Sequence, residues 1–302
     1  MKKIIIFFMM TSMISSQAQV LRSLGGELIE KTFKISGKKA IKSSDVILEK
    51  ALKKSGLKVL SKMGRTKAAR NINVVKYFTK ILDDIGEKAF NKKYIFQQSG
   101  DVLLIKNKKG RYIASINDNI ITAKPWKGGS DLNPFLNEHV MIPNSIYKIN
   151  GQSYKTSDNS LYKEMSGVLI SLSKNKPARS IQMQGLSKKI KGGVVKRKNG
   201  VIVRNKSGSP VYKDDGGHIL ANMFGGGSEM YNYIPMSRKL NRQGGAWAQM
   251  ERKWEKALKG GQKVDYKIKP IYQGTSKRPD KIYVTYEIEG KRVTELFDNN
   301  IF

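Results

Sequence analysis

The sequence has no cysteine. A disulfide framework, a thiolate zinc site and a cysteine nucleophile are therefore excluded. Histidine is nearly as scarce: His139 and His218 are the only two among 302 residues, too few for a multi-histidine metal cage. Acidic side chains are also few, 24 against 57 Lys and Arg, which sets the formal net charge at +33. Long apolar runs are missing. A membrane-spanning helix needs about 20 apolar residues, and the run over residues 4–14 is shorter and broken by Thr11 and Ser12. Apolar side chains do make up 39% of the chain, enough for a core, so wholesale disorder is excluded. The length suits about two domains of roughly 150 residues each.

The charge is the largest single feature. A surface this basic attracts polyanions over a Debye length of roughly 8–10 Å. Nucleic acid, anionic lipid, anionic polysaccharide and an acidic protein all qualify as partners. Of the basic residues 45 are Lys. Lysine acts as a point charge, which suits sequence-independent contact with phosphate.

Residues 1–18 read as a secretory signal peptide. Lys2 and Lys3 precede the short apolar run, and Ser16 and Ala18 are the small residues a signal peptidase reads. Cleavage after Ala18 places the mature chain in the periplasm or outside the cell. With no cysteine for lipid attachment, no stable membrane anchor is expected.

Residues 19–99 read as a basic, mainly helical region, with 19 basic and 7 acidic side chains. Ser44 and Asp45 offer an N-cap to one helix, and a second is expected near 71–91, with Val74, Phe78, Ile81 and Leu82 on one face. Residues 100–137 read as a small β-hairpin followed by a turn-rich linker near 124–134. From 138 to 302 the pattern is that of one α+β domain. Strands are expected near 145–148, 152–156, 161–172, 264–272, 281–288 and 291–297, with a helix over 246–259. Residues 186–213 are rich in Gly and Lys and read as a loop or hairpin insertion.

Chemistry concentrates in two segments. Residues 214–221 read Asp-Asp-Gly-Gly-His-Ile-Leu-Ala. Glycines before a histidine permit positive φ and close approach of a phosphate or metal. Histidine is the side chain whose ordinary pKa suits a general base near neutrality, and a positive surrounding field favours its neutral form. Downstream, Asn232-Tyr-Ile-Pro leads to Leu240-Asn241 and then to Trp247 and Glu251 in the expected helix. Asn241 offers a neutral oxygen ligand, and Glu251 an acceptor for metal-bound water. Mg²⁺ takes few protein ligands and keeps several waters, so this sparse set is chemically adequate. Trp247 and Trp254 share a helix face and read as core, residues 225–227 as a turn, and His139 as structural.

Asp-x-Gly-His, Asn-x-x-Pro and Leu-Asn followed by Gly-Ala-Trp-Ala-x-Met-Glu together resemble the DNA/RNA non-specific endonucleases with a ββα-metal finger. The likeness is nearest to the branch found in bacterial secreted and polymorphic toxins. It extends through Phe224-Gly225-Gly226 and the run over 270–279, and covers about 140–298. The resemblance implies an α+β fold: a ββα-metal nuclease core on a mixed or antiparallel sheet, here preceded by the basic helical region. It implies a secreted, sugar-non-specific endonuclease acting on DNA and RNA with Mg²⁺ or another divalent cation such as Mn²⁺. His218 resembles the general base, Asn241 the direct metal ligand and Glu251 the acid that orients metal-bound water. Asp215, Gly217 and Asn232 take supporting places, and Arg179, followed by Gln182, is the candidate phosphate-stabilising arginine.

Two departures matter. Better-known secreted members carry Arg where this chain has Gly216, so the positive group must come from elsewhere; Arg204 is the alternative to Arg179. The interval between Asn241 and Glu251 is two residues longer, which makes Glu255 the alternative acid. A toxin role implies an acidic immunity protein as partner. The competing reading is a non-catalytic, extracellular polyanion-binding protein, which shares the charge but gives no reason for His218, Asn241 and Glu251 to occur in that order.

Overall fold

The computed structural model describes residues 58–127, 131–138, 140–173, 193–208 and 210–301. The signal segment, Arg179, Gln182, His139 and most of the first expected helix lie outside the described residues. The chain divides into two compact units, residues 1–119 and 120–302.

In the first unit, short helices α1 (Lys58–Ser61) and α2 (Lys67–Arg70) precede the long α3 (Ile72–Lys93). Asn71 caps α3 by accepting from the backbone N–H of Asn73 at 3.0 Å and Val74 at 3.4 Å, which satisfies donors the helix cannot. The helix is kinked at Gly86, where φ is 75°. Three antiparallel strands follow: β1 (Ile95–Ser99), β2 (Val102–Lys106) and β3 (Tyr112–Asn117). β1 falls in a stretch the sequence reads as helical. Phe96 explains it, since its ring packs edge-on against Phe78 and Phe90 of α3, where tertiary contact outweighs local propensity.

The second unit carries a seven-stranded sheet. Its strands are β4 (Ile120–Ala123), β5 (Ile146–Ile149), β6 (Gln152–Thr156), β7 (Tyr162–Leu169), β12 (Val264–Ile271), β13 (Lys281–Ile288) and β14 (Lys291–Asp298), neighbours in that order. β4 runs parallel to β5 and every other pair is antiparallel, so the sheet is mixed. β12 shows the period-two rule: Val264, Tyr266 and Ile268 are buried, while Asp265, Lys267 and Lys269 face out. Between β7 and β12 the chain forms a small hairpin, β8 (Arg197–Lys198) with β9 (Val201–Ile202), and then the element that positions the site.

That element is a two-stranded ribbon, β10 (Asp214–His218) antiparallel to β11 (Tyr233–Ser237), followed by α4 (Arg238–Asn241) and α5 (Ala246–Lys259). α5 packs on the inner sheet face. Trp254 sits 5.3 Å from the Tyr266 ring and 5.5 Å from Tyr286, and Trp247 sits 5.3 Å from Phe297. Both indoles are buried, as core residues should be.

The turn-rich stretch near 124–134 is tied into this unit. Asn133 is buried, donates to the Lys124 carbonyl at 2.9 Å, and accepts from the Phe135 N–H at 3.0 Å. The backbone N–H groups of Trp126 and Asn133 both donate to one oxygen of Glu229.

Candidate active site

β10 is extended throughout, and neither Gly216 nor Gly217 has positive φ, contrary to the expectation for this glycine pair. The need at Gly217 is space. A Cβ there would lie 2.6 Å from the Cβ of Met236 on the neighbouring strand. Gly217 therefore lets β11 close tightly on β10, and His218 sits at the ribbon's end, directly opposite Tyr233.

The His218 ring lies 4.4 Å from the Tyr233 ring. Its Nε2 is buried and has no hydrogen-bond partner among the described residues. Burial pushes its pKa down from 6.5 to about 4, because removal from water penalises the charged form. At neutral pH the imidazole is therefore uncharged, with one nitrogen able to accept a proton.

Three residues before His218, Asp215 is buried and gathers the site's polar groups. Its carboxylate accepts from Nε of Arg242 at 2.9 Å and Nη2 at 3.1 Å, a bidentate pair. It accepts from Nε of Arg238 at 3.2 Å and from Nδ2 of Asn241 at 3.4 Å. A carboxylate offers acceptors alone, so the Asn241 amide must turn its nitrogen inward. That leaves Oδ1 turned away from the carboxylate.

Glu251 lies on α5, a turn after Trp247. Burial raises its carboxyl pKa to about 7, and the Trp247 N–H offsets part of this although it falls short of hydrogen-bond geometry. A carboxyl held in this way gains from a nearby cation. Glu255, the alternative acid, instead pairs with Lys259 at 2.7 Å. Asn232 is a fully buried bracket: it accepts from the Leu220 N–H at 3.1 Å and donates to the carbonyls of Leu220 and Gly227. It closes the long connection between β10 and β11.

α4 packs on both ribbon strands and on α5, so the elements bearing Asp215, His218, Asn241 and Glu251 adjoin. No group of three or more His, Cys, Asp or Glu able to hold a metal occurs among the described residues. The donors that are present, an amide oxygen with a carboxylate nearby, are hard oxygens that fit a cation retaining most of its water. They do not fit a closed zinc site. Arg204 lies on the β8–β9 side of the chain, with Nη1 donating to the Gly208 carbonyl at 2.9 Å.

Sequence reading missed five participants. Arg238 and Arg242 are one helical turn apart around Asn241, and that i,i+4 spacing was the available signal. Asp214 forms a buried bidentate pair with Arg278, with both N···O distances 2.9 Å, and nothing in the sequence links residues 64 apart. Glu229 had a weaker signal, an acid set against the apolar Met230-Tyr231.

The 83 residues shared with the type VII secretion system protein EssD of Staphylococcus aureus are 40% identical. They cover 26% of this chain and 14% of that relative's length. Among solved structures, NucA from Streptococcus agalactiae, with no metal bound, is similar over 73% of this chain and 92% of its own, with 14% identity and a TM-score of 0.35. The Sda1 nuclease with bound zinc is similar over 49% of this chain and 76% of its own, with 17% identity and a TM-score of 0.33. Residues 143–290 match the family model described as DNA/RNA non-specific endonuclease, so the chain carries a domain of this family.

Proposed function

We propose that the chain is a metal-dependent endonuclease that hydrolyses phosphodiester bonds in both DNA and RNA, with His218 as general base. The observation that carries this reading is the uncharged His218, whose buried Nε2 has no partner among the described residues, on the same strand as Asp215, which contacts Asn241.

Asn241 Oδ1 and the Glu251 carboxylate are the residues that would hold a hydrated Mg²⁺ or Mn²⁺, Asn241 directly and Glu251 through water. When bound, such an ion polarises the phosphoryl group and steadies the leaving oxygen. His218 takes the proton of the attacking water. Asp215 keeps the Asn241 amide in its ligating orientation. The excess of lysine supplies affinity through phosphates, so sequence preference is weak.

Family membership and the segment shared with EssD, a type VII secretion system protein, support an exported enzyme. An antibacterial toxin neutralised by an acidic immunity protein is the role we favour, since a basic active site calls for an acidic mask. The test is cleavage of supercoiled plasmid and of RNA by the full chain, with Mg²⁺, with Mn²⁺ and with EDTA. Metal-dependent cutting of both polymers is expected. Binding without cutting under every metal would favour the polyanion-binding alternative.

A further inference from the structure

Two guanidinium groups converge on one carboxylate beside Asn241. Asp215 contributes one negative charge and Arg238 and Arg242 one positive charge each, so the cluster keeps a net charge of +1. The two arginines are not equivalent. Arg242 commits Nε and Nη2 to Asp215 and leaves Nη1 without a partner among the described residues. Its side chain is 54% exposed, against 34% for Arg238 and 6% for Asp215. One edge of the Arg242 fork is therefore fixed and the other is open to solvent, an arrangement suited to a second, incoming oxyanion. It directly follows Asn241, at the start of the lengthened stretch before α5.

We propose that Arg242 is the arginine that contacts the phosphate being hydrolysed, in the role the sequence assigned to Arg179 or Arg204. This rests on the endonuclease reading above. In the step, the water oxygen forms a bond to phosphorus and the bond from phosphorus to the 3′ oxygen breaks. His218 takes one water proton, and the leaving oxygen is protonated by solvent. Arg242 keeps its own protons and donates N–H bonds to a non-bridging oxygen as charge accumulates there. Asp215 holds the fork rigid, so little reorganisation is needed.

The test uses the full chain as wild type, Arg242→Ala, Arg242→Lys and Arg238→Ala. With Mg²⁺, Arg242→Ala should lower kcat on plasmid by about 100-fold or more, the size found when one preorganised donor is removed. Arg242→Lys should recover little of it, and added guanidine should rescue the Ala variant but not Arg238→Ala. A second readout needs no turnover: binding of a single-stranded oligonucleotide in EDTA across a salt series. Loss of one phosphate contact should flatten the log–log salt slope by about 0.7. Wild-type cutting combined with near-normal kcat in Arg242→Ala, or with an unchanged salt slope, overturns this inference alone. A wild-type chain that binds without cutting overturns the endonuclease reading and the catalytic role of Arg242 with it. Rescue of Arg238→Ala rather than Arg242→Ala would show that the wrong arginine was assigned.

Discussion

Asp215 accepts a hydrogen bond from the side-chain amide of Asn241 at 3.4 Å, joining the first strand of the ribbon to the last residue of α4. That contact decides which end of the amide faces outward. Substituting Asn for Asp215 supplies a donor as well as an acceptor, so the Asn241 amide is no longer held in one orientation. Calorimetric titration with Mn²⁺ should show about 10–100-fold weaker binding in Asp215→Asn, the usual loss when a ligand's orienting partner is removed. Unchanged ion affinity would show that Asp215 does not orient the ligand.

The neighbouring residue acts on stability. Asp214 and Arg278 are both buried and bidentate, and Arg278 also donates to the Asn299 carbonyl and to Asn300 Oδ1 at 2.8 Å. Asn299 in turn accepts from the Ser237 N–H at 2.8 Å, so the end of the chain is clamped to the ribbon. Removing one partner leaves a buried, uncompensated charge. Arg278→Ala should lose about 3–5 kcal/mol in urea unfolding. Arg278→Lys should restore only part of it, because lysine cannot form the fork.

These two acids show how far the sequence could be read. Local order was legible: the β12–β14 meander and α5 follow from alternation and helical spacing, and their observed bounds fall within a residue of the expected ones. The order of His218, Asn241 and Glu251 was legible as a motif. Pairings across long stretches of chain were not. Neither the hold of Arg278 on Asp214 nor that of Glu229 on the 126–133 segment leaves a periodic trace, because each depends on how the chain folds back. The glycine pair was noticed for its conformation, which is ordinary, whereas at Gly217 the lack of a side chain is what matters.

Glu229 gives a prediction for pH. Burial raises its carboxyl pKa, opposed in part by backbone N–H donors including those of Trp126 and Asn133. A folded-state pKa above the unfolded value favours the protonated acid. Its stabilising contribution is complete below the unfolded value of about 4.5 and is lost as pH rises through the folded value. Glu229→Gln mimics the neutral acid. Its melting temperature should exceed that of wild type at pH 8, and the difference should shrink towards pH 4.5. An equal difference at both pH values would mean that the carboxyl has the same pKa folded and unfolded.

His218 shifts in the opposite direction. With two histidines in the chain, ring resonances are assigned by comparison with His218→Ala. In metal-free protein the His218 resonance should stay in its neutral position from pH 8 to pH 5 and move only near 4. Titration near 6.5 would place the ring in water and remove the basis for its buried, uncharged state.

The most direct measurement compares wild type with His218→Ala in two assays on the same preparations: single-turnover plasmid cleavage with Mg²⁺, and oligonucleotide binding in EDTA. The account predicts that the variant binds as wild type does and cuts at least about 100-fold more slowly, the lower range for a general base. A variant that cuts at the wild-type rate would contradict it, because the proton of the attacking water would then be going elsewhere.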